Sequence, residues 1–357
     1  MTTNCILSPP IDCTNKKNKE DDKMIGKFPV SPEEVSKYFM VADKLDPKGI
    51  FTPQVFGSCP VAKEKTPSGC GEIQIVLEKG VYDLTLPVPF IKIFKKLEPV
   101  FKGLVIMDQN KVLLNNITMQ NIMYSMKNPK KTMFTNIKDL YAYDDIYKWT
   151  IVRKINDETK LNTPPDLFII NAFDNFYESK LAGDKDRFTI LDFIDTNFDS
   201  SYKNIYQNSV YKSNVPNIFK ELARRSFESE QDNENDPLWI RFSPEQRMKD
   251  SIPFFYMNPF RTDILNSRML ITEKMHSDFL EVFLKQFAEK VSVYGMGITL
   301  LELVNQDFLH QIDSGVKQHP VFREVIQLIA DMISPNPVGR ITGKQALDAY
   351  YTISSRL

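Results

Sequence analysis

Apolar residues along this chain fall into two regimes. Residues 290–303, which run Lys290-Val291-Ser292-Val293-Tyr294-Gly295-Met296-Gly297 and on through Ile298-Thr299-Leu300-Leu301-Glu302-Leu303, are apolar almost all round a helix. A helix of that kind belongs inside a core. Gly295 and Gly297 each weaken it by roughly 1 kcal/mol relative to alanine, so they predict a close approach by another backbone. Elsewhere the pattern is amphipathic or alternating. Residues 24–30 predict a short strand. Ser31 reads as an N-cap, Pro32 as the first helical residue, and Glu33 and Glu34 as first-turn acids. That helix should run to about Leu45 and stop at Asp46-Pro47-Lys48-Gly49. Residues 73–78 alternate and then run apolar, as a half-buried strand does. Residues 89–104 read as one amphipathic helix, and a hairpin follows around Lys127-Asn128-Pro129-Lys130.

Residues 1–22 are polar and predict a flexible arm. Residues 167–289 are helical in pattern and rich in Phe, Tyr, Asn and Asp, with an acidic run at 228–236. A structureless loop that long is rare in a compact domain, so an insertion subdomain is expected, mobile at its acidic run. Its aromatic face is either a partner-binding surface or extra core. From Lys290 onward the pattern predicts three or four helices, and no internal repeat is present.

Composition narrows the function classes. A chain of 357 residues, 42% hydrophobic and 25% charged, has the make-up of an ordinary globular protein large enough for two lobes. A formal charge of −1 argues against nucleic acid as a partner. No apolar run approaches the length of a bilayer span, and no N-terminal signal pattern is seen, so a cytoplasmic protein is expected. Cys5, Cys13, Cys59 and Cys70 match no metal-binding spacing, and His276, His310 and His319 lie far from them. Free thiols in a reducing compartment are therefore expected.

The apolar helix resembles the buried central helix of the protein kinase large lobe, D-V-[WY]-S-x-G-x-x-L-x-E-L, with Ser292 in place of the aspartate. Met332-Ile333-Ser334-Pro335-Asn336-Pro337-Val338-Gly339-Arg340-Ile341-Thr342 resembles the late kinase signature M-[LI]-x-x-[DN]-P-x-x-R-[IP]-[TS], and Gln345-Ala346-Leu347 sits where kinases have E-A-L. Arg340 alone reads as a surface arginine. The resemblance implies a buried ion pair with the A-P-E counterpart, placed at Pro164-Pro165-Asp166 or, failing that, at Asn258-Pro259-Phe260. Residues 75–84 resemble the hinge, and Lys44 to Cys59 the helix-to-strand crossing of the small lobe. The closest likeness is to divergent kinase-like proteins of large DNA viruses. It implies an α+β bilobal fold: a reduced small lobe at 23–80, a large lobe beginning at 81–166, the insertion at 167–289, and helices at 290–357.

The same resemblance locates the chemistry and finds it depleted. Phosphoryl transfer needs a glycine loop, a lysine held by a glutamate, an acid to orient the hydroxyl, and acids on magnesium. No G-x-G-x-x-G precedes Lys27, the counterpart of the phosphate-touching lysine, which reads equally well as a surface lysine. Counting back from Asp46-Pro47 puts its partner at Lys37, of the wrong sign. Glu33 and Glu34 lie about a turn away and substitute only if the register shifts. In residues 114–123 Asn116 replaces the catalytic aspartate and Thr118 the lysine, while Asn121 is kept. The magnesium aspartate falls near Thr135-Asn136, with Asp139 available only in a slipped register. Lys27, Glu78, Asn121 and Met123 are the nucleotide-facing candidates. Ser292, Gly295, Gly297, Asp166 and Arg340 are the structural ones.

Three readings follow. The first is a pseudokinase that binds protein partners in the host cytoplasm or a virion, with no cofactor. The second is an atypical Ser/Thr kinase using ATP and magnesium. The third is an α-rich virion protein unrelated to kinases.

Overall fold

Ser31 and Pro32 start the first helix as their chemistry demands. The Ser31 hydroxyl accepts the Glu34 N–H at 3.2 Å, and Pro32, whose missing N–H is no loss there, opens helix α1 at Pro32–Met40. The computed structural model describes residues 5–12, 22–29, 31–81, 90–115, 117–145, 164, 288–309, 320–334 and 339–357. Beyond α1 the helix widens into a π-turn at Val41–Leu45. It ends at Asp46, a buried carboxylate that accepts the N–H groups of Ile50, Phe51 and Thr52 at 2.7, 2.9 and 2.9 Å and the Thr52 hydroxyl at 2.8 Å. One side chain thus builds the turn into the next strand.

The architecture mixes helices with small antiparallel sheets. Strands β1 (Ile6–Leu7), β2 (Met24–Lys27), β3 (Val55–Pro60) and β4 (Ile73–Glu78) form a four-stranded sheet in the order β1-β2-β4-β3. Strand β5 (Gly80–Val81) joins the hairpin of β7 (Ile122–Ser125) and β8 (Thr132–Phe134) in a second sheet. Strands β6 (Val112–Leu114) and β9 (Leu140–Ala142) pair as a third. The hairpin turns at residues 127–130, as the sequence predicts, and the Phe134 N–H reaches back to the Phe51 carbonyl at 2.8 Å.

Residues 89–104 do not form one helix. Helix α2 is Phe90–Phe94 and helix α3 is Glu98–Gln109. The cause is Pro99, which has no N–H to donate and whose ring displaces the carbonyl four residues back, that of Lys95. The freed Lys95 carbonyl accepts the hydroxyl of Tyr350 at 3.0 Å. Tyr350 lies on helix α6 (Gly343–Ser354), where its ring packs 4.6 Å from Phe101 and 5.1 Å from Phe94.

Helix α4 (Val291–Leu309) is the buried one. Every residue from Val291 to Val304 except Glu302 is buried. Helix α5 (Pro320–Met332) crosses it closely at Gly297, where a Cβ would lie 2.6 Å from Ile333 Cγ2 and 2.8 Å from Met332 Cβ. Among the described residues no helix is long and apolar enough to cross a membrane.

Two expectations about the N-terminal region fail. Residues 5–12, expected as part of a flexible arm, are docked: β1 pairs with β2, and Phe28 donates its N–H to the Cys5 carbonyl at 2.8 Å. The Gln74 amide grips Ile11 in both directions, accepting its N–H at 3.0 Å and donating to its carbonyl at 2.8 Å. Gly26 makes room, since a Cβ there would lie 2.1 Å from Gln74 Oε1. The cysteines are not free thiols: Cys5 and Cys70, 65 residues apart, form a disulfide, and Cys59 is disulfide-bonded too. Spacing alone did not betray the pairing, because these partners meet only once β1 and the segment before β4 come together. Cys13, the three histidines and residues 167–287 of the insertion lie outside the described residues.

Two substitutions test this packing. Tyr350→Phe should lower the unfolding free energy by about 0.5–1.5 kcal/mol, the net worth of the part-buried hydrogen bond to the Lys95 carbonyl. Gly297→Ala should lower it by about 1–2 kcal/mol, with overpacking outweighing the gain in helix propensity. Denaturant unfolding of the full chain measures both.

Candidate functional site

Lys27 ends strand β2 and points at helix α1. Its ammonium meets Glu34 at 3.2 Å and stands 5.0 Å from the centre of the Tyr38 ring. The lysine therefore has a glutamate partner, against the expectation that the opposing position is Lys37. A π-turn at Val41–Leu45 separates helix α1 from Asp46; it adds only about one residue to the turn, so it explains part, and not all, of the offset from Lys37 back to Glu34. Burial pulls the Lys27 pKa down, yet Tyr38 and Glu34 outweigh it and leave it above the usual lysine value. Burial itself raises the pKa of Tyr38. At neutral pH the phenol is uncharged, so Glu34 is the counter-ion of Lys27.

Lys37 has a different task. It donates to the Lys138 carbonyl at 2.7 Å, lies 4.3 Å from the centre of the Tyr141 ring, and meets Glu33 at 3.4 Å. Helix α1 is thereby fastened to the segment between β8 and β9.

The loop between β6 and β7 is held from below by α4. The Leu114 N–H donates to the Ser292 hydroxyl at 2.9 Å, and the Thr299 hydroxyl donates to the Ile117 carbonyl at 2.9 Å. Within the loop, the Asn121 N–H donates to the Thr118 carbonyl at 3.0 Å. The Asn121 carbonyl accepts both the N–H of Thr135, at 2.9 Å, and its hydroxyl, at 3.3 Å. The structure thus brings Asn121, Thr135 and Asn136 together at the mouth of one loop, all half-buried. Asn116 lies outside the described residues. Asp139 is buried at 5% exposure, where its carboxylate accepts the Asn136 amide at 3.1 Å and its carbonyl accepts the Asn115 N–H at 3.0 Å. Its carboxylate is engaged inside the fold rather than presented at the loop's mouth.

Glu78 was a candidate for the nucleotide-facing set, and its side chain serves the fold instead. The buried carboxylate accepts the Gln54 N–H at 3.1 Å, takes the Ser125 hydroxyl, and forms an ion pair with Lys131. Lys131 also donates to the Thr52 carbonyl at 2.9 Å. Burial raises the Glu78 pKa, but the hydrogen bonds from Lys131, Ser125 and Gln54 outweigh it and hold it below the usual range. Glu78 ties the four-stranded sheet to the β7–β8 hairpin, beside the backbone pairing of β5 with β7. Met123, on β7, is half-buried with its sulfur packed under Gly80, where a Cβ would come within 2.7 Å.

Arg340 is no surface arginine. It is 1% exposed, donates Nε–H to the Ser334 carbonyl at 3.0 Å and lies 5.0 Å from the Tyr294 ring centre. Asp166 and Asn258-Pro259-Phe260, its expected counterparts, fall outside the described residues. Among the described residues no group of three His, Cys, Asp or Glu side chains is placed to hold a metal ion. Sequence reasoning missed Tyr38, Thr299 and the Glu78–Lys131 pair, whose partners are distant in the chain. Only Glu34 had left a local sign, in the Ser31-x-x-Glu34 spacing of a helix start.

No family model matches the chain, and no curated protein matches it either.

The Glu78–Lys131 pair gives a pH-dependent test. Lys131→Met should destabilise the protein by about 3–5 kcal/mol at pH 7, because a buried carboxylate loses its counter-ion. The double variant Glu78→Gln/Lys131→Met should recover much of that loss. Since Glu78 has a lowered pKa in the folded state, its contribution is complete above the unfolded value of about 4.3 and fades as pH falls through the folded one. Denaturant titrations at neutral and acid pH should therefore show the gap between Glu78→Gln and the unmodified chain narrowing in acid.

Proposed function

We propose that this chain is a catalytically degenerate protein of kinase-like fold that acts by binding other proteins. Several features support the bilobal reading. The sheet order β1-β2-β4-β3 sets the Lys27 strand beside the strand leading to the hinge segment. The Lys27–Glu34 pair couples that sheet to helix α1. The β6–β9 pairing brackets a loop anchored on a buried helix. The four-stranded sheet speaks against an α-rich protein of unrelated fold.

The observation that carries the degenerate reading is the set of side chains at the mouth of that loop. Asn121, Thr135 and Asn136 stand together there, and the nearby carboxylate of Asp139 is buried and bonded to Asn136. Amides and hydroxyls donate and accept hydrogen bonds, but at neutral pH they do not take a substrate proton as a carboxylate does. With Thr135 and Asn136 at the magnesium position, the two oxygens that a hard divalent cation prefers are replaced by neutral groups. Near-neutral net charge favours protein over nucleic acid as the partner. Of the two settings, host cytoplasm and virion, the disulfide between Cys5 and Cys70 favours the virion, because such bonds persist on virion surfaces and are rare in cytosol.

The Lys27–Glu34 pair favours a second reading, an atypical kinase that uses ATP and magnesium, since that pair must be in place in a working kinase. Incubation with labelled ATP and magnesium or manganese separates the two. The expected result is no phosphate transfer to the chain itself or to general protein substrates, with at most a small, magnesium-independent melting shift from nucleotide. Autophosphorylation that disappears in Lys27→Met or Asp139→Asn would overturn the degenerate reading and establish the second.

A further inference from the structure

We propose that the tip of the β7–β8 hairpin is a docking surface for an acidic, extended segment of a partner protein. The proposal rests on the protein-binding reading above and gives the partner its chemistry. From Lys111 to Lys138 the chain carries five lysines and not one Asp or Glu. Two of the five, Lys127 and Lys130, stand in the hairpin turn, where Met126 to Lys130 are all exposed. Lys131, beside them, points inward and is neutralised by Glu78. The carboxylate built into this corner of the fold is thus already spent, and the charge presented outward is positive.

The tip is firmly held for an exposed turn. The Ser125 hydroxyl, which donates to Glu78, accepts the N–H groups of Lys127 and Asn128 at 3.1 and 2.9 Å. Asn128 takes the next two amides, that of Lys130 on its side-chain oxygen at 3.1 Å and that of Lys131 on its carbonyl at 2.8 Å. The Met126 N–H donates to the carbonyl of Lys79, just past β4, at 3.0 Å. Side chains are placed as well as backbone. The Lys127 ammonium stands 3.9 Å from the centre of the Phe56 ring, and that of Lys96 stands 4.6 Å from the centre of the Tyr124 ring on β7. Cations fixed in this way lose less freedom on binding than lysines on a mobile loop.

Charge complementarity selects the occupant. Phe56 and Met126, 38% and 36% exposed, add apolar contact beside the lysines. A few fixed cations around a small apolar patch suit carboxylates spaced along a peptide with apolar side chains between them. A membrane surface is a poorer match, because the Phe56 ring lies under an ammonium and is not free to insert, which leaves Met126 as the apolar group of the turn. Strand β3, which carries Phe56, lies at the edge of its sheet but is interrupted by a bulge between Val55 and Gly57, and its Pro60 has no N–H. It offers no regular ladder to an added strand, so recognition falls to the side chains.

Fluorescence anisotropy on the full chain tests the surface. The probes are a short labelled peptide of alternating glutamate and leucine and its counterpart with lysine for glutamate. The glutamate peptide should bind, more weakly as salt is raised, and the lysine peptide should not. Lys127→Glu/Lys130→Glu should weaken binding roughly tenfold, since like charges then face each other. Lys63→Glu/Lys65→Glu, the same change of charge at two exposed lysines beyond the far end of β3, should leave it within about twofold of the unmodified chain. If charge reversal unfolds the protein, Lys127→Gln/Lys130→Gln carries the same comparison. No binding of the glutamate peptide, unchanged binding in the tip variant, or equal loss in both variants would overturn the proposal. Capture by phosphatidylserine vesicles that the peptide cannot displace and the tip variant abolishes would overturn it too, by assigning the tip to a membrane. The labelled-ATP assay does not involve these residues, so phosphate transfer there counts against the degenerate reading and leaves this titration to decide the tip alone.

Discussion

The helical part of the described core packs on a helix that has almost no polar side between Val291 and Val304. Over that stretch helix α4 is enclosed except at Glu302, so the polar side chains buried there must find partners inside the protein or carry the full penalty of burial. Ser292 finds its partner in the last residue of β6 and Thr299 in the loop that follows. Neutral hydroxyls do this with far less desolvation than a carboxylate would suffer at the same depth. The loop is consequently fixed in space by a scaffold that carries no charge of its own.

Several charged groups of the four-stranded sheet, its helix and the hairpin are answered by other groups of the same chain. Lys27 has Glu34, Glu78 has Lys131, and Asp46 has three amides and a hydroxyl. Lys37 is spent on a carbonyl between β8 and β9 and on an aromatic ring of β9. A site designed to stabilise charge developing on a substrate keeps dipoles and ions aimed at the place where that charge will form. Here much of the electrostatic capacity is turned inward, toward holding one arrangement of sheet, hairpin and helix. Such rigidity suits a recognition surface, where preorganisation reduces the entropy lost on binding.

Local chemistry was legible in the sequence and long-range chemistry was not. Ser31, Pro32 and the stop at Asp46 each act within a few residues, and β4 and the hairpin announce themselves by alternation and by turn residues. The nearly apolar run from Val291 to Val304 in α4 could be read because so few polar residues leave little but a buried interpretation. The split of α2 from α3 was signalled by Pro99, but the amphipathic period continues across the break and masked it. The π-turn has no residue signature at all, and the Lys27–Glu34 contact joins a strand to a helix whose relative placement counting back from Asp46 does not give. The disulfide and the hold of Gln74 on Ile11 join positions more than sixty residues apart, so nothing short of the assembled sheet reveals them. Within the candidate site, the identities of the amides were plain from the sequence, whereas the engagement of Asp139 and Glu78 was not.

The carbonyl released by Pro99 sets an order on the making of the protein. A ribosome emits α2 and α3 early, with the Lys95 oxygen and the faces of Phe94 and Phe101 still uncovered. Their cover, the ring and hydroxyl of Tyr350, is some 255 residues downstream. Translation at roughly 5–20 residues per second leaves that surface bare for tens of seconds. Slower elongation between the two segments lengthens the interval in which bare aromatic faces can stick to other chains.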